Sequence, residues 1–204
     1  MNKLASIYYL HSLGLPTIHP EIILKNDERN VRSNVDSFYF PYEPGWVLRC
    51  GKLPDKKGVV ERGLPWEIVH EKEELVDRII ALQKEISSKY VVFCHPVAEM
   101  IRGGIMLIEG DRVVVESAKG GPKELSSFYR GYRNPEQQII FNPGMLSNKR
   151  IGEDVLSNAD LLDLRNIERK LNWAEINAIS DPVAIEFSKL KNDALYVHDL
   201  SVVN

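Results

Sequence analysis

Val183-Ala184-Ile185-Glu186-Phe187-Ser188 and, beyond the polar Lys189–Asp193 connection, Leu195-Tyr196-Val197-His198-Asp199 decide how this chain is read. Both runs have the two-residue alternation of a strand, and the short polar link between them reads as a hairpin. In the first run Glu186 points away from Ile185 and Phe187. In the second, Tyr196 and His198 share a face. A hairpin centred on Lys191 sets Glu186 opposite Tyr196 and diagonal to His198, and diagonal neighbours lie roughly 7–8 Å apart. Glu186 and His198 are therefore candidate metal ligands, because a strand carboxylate beside phosphate oxygens is a common seat for magnesium. A solvent-facing glutamate on a half-exposed strand is the competing reading.

Working outward, the chain alternates helical and strand-like segments without an internal repeat. Residues 2–13 form a first helix, with Asn2 as its cap and Gly14 and Pro16 ending it. Glu21–Leu24 and Trp46–Cys50 are short strands, separated by the polar, irregular stretch Lys25–Pro44. Asp55–Pro65, with Gly58, Gly63 and several charges, reads as an exposed loop and a candidate lid. Glu71–Ser88 is the clearest helix, with Glu71, Glu73 and Glu74 at the dipole-favoured end. Tyr90–His95, Gly104–Ile108 and Arg112–Glu116 follow as strands, the last two joined at Glu109-Gly110-Asp111. Asn134–Ile151 reads as loop-rich. Ser157–Trp173 is a helix opened by Ser157 with Asp160 three residues on. This order predicts an α+β fold with mainly antiparallel sheets, not a doubly wound parallel one.

Composition bounds the function. The chain has 204 residues, 26 Lys+Arg against 29 Asp+Glu, 44% hydrophobic and 27% charged residues, which suits a globular domain with a sizeable core. A net charge of −3 gives no electrostatic footprint for nucleic acid. No apolar run reaches the roughly 20 residues of a membrane span, and the first residues lack the unbroken apolar stretch of a leader. Two cysteines, Cys50 and Cys94, exclude a disulfide framework and read as buried thiols of a cytoplasmic protein. The five histidines show no HExxH spacing. Gly45–Leu53 is not a phosphate loop, since Leu53 stands where a magnesium-holding Ser or Thr is needed. Arg49, at the end of the apolar run Trp46-Val47-Leu48, offers a fork suited to phosphate, or to a surface ion pair. Lys3 is a second cation for phosphate, or a solvated one. His95 leaves the apolar strand Val91-Val92-Phe93-Cys94 beside a ligand, or serves as a structural histidine. Lys119 and Lys123 flank Gly120-Gly121, whose amides suit an anion or simply a turn.

Taken in order, these segments resemble the ATP-grasp nucleotide-binding domain of pyruvate phosphate dikinase and phosphoenolpyruvate synthase. Asn2-Lys3-Leu4-Ala5-Ser6, Leu10 and Gly14-Leu15-Pro16 are similar to that family's opening. Val47-Leu48-Arg49-Cys50-Gly51 resembles its Val-Arg-Ser-Ser strand, and Val91–Met100 its adenine-passing segment. Glu116-Ser117-Ala118-Lys119-Gly120-Gly121 resembles its Glu-Ala-x-x-Gly-Leu-Gly-Glu segment. Ala184-Ile185-Glu186-Phe187 with Leu195-Tyr196-Val197-His198 is similar to its Asp-Ile-Glu-Phe…Leu-Tyr-x-Leu-Gln-x-Arg ending.

The resemblance implies one ATP-grasp-like domain over residues 1–204, with a smaller lobe at about 1–88, a larger sheet-rich lobe at about 89–204 and nucleotide held between them. It implies ATP and magnesium as cofactors and a phosphotransferase or ligase with an unknown acceptor. Lys3 and Arg49 would meet phosphates, Arg49 as the catalytic cation. His95, Pro96, Val97 and Glu116 would contribute to the nucleotide site, and Glu186 and His198 to the metal. The chain departs from the pattern where Ala184 replaces Asp, His198 replaces Gln and Leu200 replaces Arg. Those departures support an alternative, a degenerate ATP-grasp domain that senses nucleotide or binds a partner. Residues 1–204 carry no counterpart of the dikinase's phosphohistidine and pyruvate-binding domains. A homo-oligomer, or a partner protein supplying them, is the corresponding expectation.

Overall fold

The computed structural model describes residues 3–23, 27–38, 45–52, 66–86, 89–143, 148–171 and 182–202. The expected 55–65 loop lies outside them. The chain divides into two compact units. Unit 1 comprises Met1–Ala5 and Ile18–Ala98, and unit 2 comprises Ser6–Thr17 and Glu99–Asn204. Helix α1 (Lys3–Ser12) opens the chain.

Unit 1 is a four-stranded antiparallel sheet in the order β1 (Glu21–Ile23), β4 (Tyr90–Pro96), β2 (Trp46–Lys52), β3 (Trp66–Val69). Helices α2 (Glu28–Ser37) and α3 (Lys72–Glu85) cover one face. The alternation that makes these strands also sorts them. Leu48, Cys50, Val92 and Cys94 point into the helix-covered core with Val31, Val35, Leu75 and Ile79. Each fully buried side chain of this size contributes about 1.5–3 kcal/mol. Burial pushes both thiols, Cys50 and Cys94, up from the ordinary range, as inert core cysteines require.

Two elements here differ from the sequence expectation. Lys25–Pro44 is not all irregular, because α2 forms inside it. Asp27 caps it by accepting from the Asn30 N–H at 2.9 Å, and only Val31 and Val35, four residues apart, are buried. So narrow an apolar stripe leaves a weak periodic signal. The edge strand β3 was also unforeseen.

Unit 2 is a six-stranded antiparallel sheet in the order β10-β9-β5-β6-β7-β8, where β5 is Met100–Glu109, β6 Arg112–Lys119, β7 Gln137–Phe141, β8 Lys149–Gly152, β9 Val183–Leu190 and β10 Leu195–Val202. Strands β7 and β8 lie in the Asn134–Ile151 stretch expected to be loop-rich. Helix α5 (Asn158–Lys170) and the Ser6–Thr17 segment bury Leu161, Leu164, Ile167, Leu10 and Leu15 against Met106, Val115, Ile139, Ile185 and Phe187 on one face. The expected capping box is present. Ser157 Oγ accepts from the Asp160 N–H at 3.2 Å, and Asp160 accepts from the Ser157 N–H at 2.9 Å.

A short unexpected helix, α4 (Pro122–Tyr129), covers one end of the opposite face, where Leu125 and Phe128 are buried. The double glycine of β5 explains how both faces close. A Cβ on Gly103 would meet the Tyr129 hydroxyl, and one on Gly104 would sit 2.6 Å from the Phe187 ring and collide with the Glu116 carbonyl. Gly104→Ala is therefore expected to destabilise the protein by about 2 kcal/mol, as overpacking does. A denaturant titration reads it, and an unchanged midpoint would contradict this packing.

Candidate functional site

Each sheet has one helix-covered face and one that carries the polar candidates. In unit 2 the register gives the second face directly. Ile105 on β5 pairs with Glu116 on β6 and Glu186 on β9, Glu116 pairs with Gln138 on β7, and Glu186 pairs with Asp199 on β10. These side chains form one row across the sheet, all half-buried, flanked by Leu107, Val114, Ile140 and Ala184. Gln138 Nε2 donates to Glu116 Oε1 at 3.1 Å, which holds that carboxylate in the row.

The hairpin register differs from the expectation. It is centred on Asn192, because Leu195 pairs with Lys189 and the Leu190 N–H donates to the Ala194 carbonyl at 2.8 Å, with Asp193 left-handed at φ 64. A bulge then follows. Val197 pairs with Phe187 but Asp199, not His198, pairs with Glu186. Glu186 thus faces the bulge residue His198 and its neighbour Asp199, and does not pair with Tyr196. Asp199 is itself oriented, since Oδ1 accepts from the Ser6 hydroxyl and from the Leu200 N–H at 2.9 Å. An inserted residue re-aims a strand in this way, and no local periodicity announces it.

Among the described residues no group of three or more His, Cys, Asp or Glu side chains is placed to hold a metal ion. Two carboxylates on adjacent strands, Glu186 and Asp199, stand opposite each other in this row. That number suits magnesium, which keeps several waters and takes one or two protein carboxylates with substrate phosphates.

In unit 1, Arg49 lies on the face of β2 away from the helices. It pairs with Phe93 on β4 and with Trp66 on the edge strand β3, and Val47 beside it pairs with His95 and Ile68. Arg49 is half-buried, and Trp66 and Ile68 are 44% and 39% exposed, so this face carries a cation amid apolar surface. His95 is buried, with Nδ1 3.0 Å from the Pro96 carbonyl. Pro96 is exposed and closes β4, and the Val97 N–H donates to the Gly45 carbonyl at 2.9 Å. Lys3 begins α1, and its side chain lies outside the described residues.

The Gly120-Gly121 turn is already occupied by the protein's own acids. The Gly121 N–H donates to Glu124 at 3.1 Å and Lys119 Nζ to Glu153 at 3.1 Å. It is a connecting turn. No described helix is long and apolar enough to cross a membrane.

No family model matches the chain, and no curated protein matches it. Solved structures do. Over 99% of this chain it is similar to N5-carboxyaminoimidazole synthetase from Staphylococcus aureus, with a TM-score of 0.57 and 8% identity. D-alanine–D-alanine ligase from Helicobacter pylori matches over 98% with a TM-score of 0.57 and 16% identity. Carboxyaminoimidazole ribonucleotide synthase from Aspergillus clavatus, solved with ATP, matches over 98% with a TM-score of 0.54 and 11% identity. The fold is ATP-grasp-like. The chain spans 44%, 54% and 44% of the length of those proteins. Identities this low carry the fold and not the reaction.

Proposed function

We propose that this ATP-grasp-like chain binds Mg-ATP and belongs to a ligase or phosphotransferase with an unidentified acceptor. The observation that carries the reading is the half-buried row of unit 2, in which Glu186 and Asp199 stand directly across from each other. Two carboxylates opposite one another on a sheet can share one divalent cation together with substrate phosphates. Magnesium would be held by Glu186 and Asp199, with His198 beside them in the bulge. When bound, it would neutralise phosphate charge. Arg49 would bind phosphate as a planar fork, and its task is charge stabilisation, the main requirement of phosphoryl chemistry. Glu116, fixed by Gln138, would orient the nucleotide, and His95, Pro96 and Val97 would lie near the base. Lys3 is the second phosphate cation of this reading.

The dikinase-type sequence resemblance and the ligase-type structural likeness agree on nucleotide and differ on reaction. Ligase chemistry is favoured by the solved neighbours, which are a synthetase, a synthase and a ligase. A nucleotide-sensing or partner-binding module is the second reading. It is favoured by Ala184, His198 and Leu200, where the resembled pattern has Asp, Gln and Arg.

Thermal unfolding tests the binding claim. At a ligand concentration 100 times Kd, a site that binds only the folded state adds about 2.7 kcal/mol. The expected result is a rise in Tm with millimolar ATP that grows when magnesium is added. No shift under either condition would remove the nucleotide reading and leave the partner-binding one.

A further inference from the structure

Strand β9 carries two register breaks, one on its β10 side where it presents Glu186 and one on its β5 side near its end. On the β10 side the register jumps between Val197 and Asp199, opposite Phe187 and Glu186. On the β5 side it jumps between Met100 and Arg102, opposite Leu190 and Lys189. The β10 ladder therefore fixes Glu186 less firmly than a regular pair would, and the β5 ladder holds it from one side only. A third element meets this stretch. The half-buried Tyr129 of α4 donates its hydroxyl hydrogen to the Phe187 carbonyl at 2.6 Å, and the phenol oxygen lies 2.9 Å from Ser188 Oγ. Ser188, fully buried, also reaches Met100 Sδ at 3.3 Å, and its one proton serves either Tyr129 or that sulfur. Gly103 makes room, since a Cβ there would collide with the phenol oxygen.

We propose that Tyr129 is a positioning residue for Glu186, wedged against the β5–β9 ladder and fixing the backbone that presents this carboxylate. A phenylalanine would fill the same space, so what the hydroxyl adds is its hydrogen bonds. Burial pushes the phenol up from its ordinary range, and the charge on Glu186 adds to the push while Ser188 and the Gly104 amide offset part of it. The hydroxyl thus remains a donor at every physiological pH and lies within reach of the Glu186 field. The role rests on the Mg-ATP reading above, because it is Glu186's ligand function that is positioned.

The test is Tyr129→Phe, read by Mn-ATP affinity from manganese electron paramagnetic resonance, in the natural chain and in a Glu186→Gln background. Hydrogen exchange at the Glu186 and Phe187 amides is followed without ligand. The expected result is affinity lower by about tenfold in the natural background, less than about twofold in Glu186→Gln, and faster exchange at both amides. Equal losses in both backgrounds, or unchanged affinity, would leave Tyr129 a packing residue and overturn the proposal. Unchanged exchange also overturns it, whatever the ligand does. A natural chain that fails to bind Mn-ATP removes the nucleotide reading, and exchange alone then decides whether Tyr129 holds the strand.

Discussion

Asp160→Ala should cost about 4 kcal/mol of stability. Asp160 is 1% exposed and receives Lys189 Nζ at 2.8 Å and Arg102 Nη2 at 2.9 Å, while also closing the α5 cap. Lys189 is itself 3% exposed. Removing one partner of a buried ion pair typically costs about 3–5 kcal/mol, here because Lys189 keeps only partly exposed or exposed acids, Asp163 at 3.8 Å and Asp193 at 3.3 Å, and a lost cap adds about 1. For a chain of this length the Tm should fall by about 10 °C. Adding Lys189→Met to Asp160→Ala should recover part of the loss, since the poorly compensated buried charge is then gone. No recovery in the double variant would assign the loss to the cap instead.

The pH dependence has a definite sign. Burial acts to raise the Asp160 carboxyl, but hydrogen bonds from Lys189 and Ser157 and the charge on Arg102 outweigh it and hold the group below the usual range. A depressed carboxyl contributes stability above its unfolded value of about 3.9 and loses it as pH falls through the folded value. Burial acts to lower the Lys189 ammonium, yet Asp160 and Asp193 outweigh it and hold the group above its usual range. That contribution is complete below about pH 10.4 and fades as pH rises through the folded value. The natural chain and Asp160→Ala should therefore differ most at neutral pH and converge in acid. Urea titrations across pH 2–7 read the convergence.

The second large effect concerns Glu186. Glu186→Gln should weaken Mg-ATP binding by more than about tenfold, equivalent to about 1.4 kcal/mol, and should strengthen binding of metal-free ATP. The inversion follows from charge. Without a cation, Glu186 and Asp199 repel the triphosphate. With one, they attract it through the metal. Asp199→Asn should act in the same direction, and the two changes should not add, because both act through one ion. Equal weakening with and without magnesium would show Glu186 to be a direct nucleotide contact.

Much of this molecule was legible in the residues. The α+β class followed from alternation and helical stripes, and the Ser157–Asp160 cap from its spacing. The β5–β6 hairpin followed from Glu109-Gly110-Asp111, where Gly110 takes φ 55. What was illegible has specific causes. Helix α2 buries only Val31 and Val35, so its stripe is thin. Strand β7 begins with Gln137 and Gln138, one buried and one half-buried, and composition alone reads that pair as loop. The most consequential gap is one inserted residue. The bulge at His198 moved Asp199 opposite Glu186, and a two-residue period has no way to announce such an insertion. The anchors that matter around the row, Gln138 to Glu116 and Tyr129 to Phe187, join residues 22 and 58 positions apart and emerge only from the fold.

The central proposal is that this ATP-grasp-like chain binds a magnesium nucleotide, with Arg49 as a phosphate cation and Glu186 as a metal ligand. Calorimetric titration with ATP, with and without magnesium, tests it most directly when run on the natural chain beside Arg49→Ala and Glu186→Ala. The account predicts micromolar, magnesium-dependent binding that Arg49→Ala weakens under both conditions and Glu186→Ala weakens only with magnesium. Absence of binding heat at millimolar ATP, or binding that neither substitution alters, would contradict it.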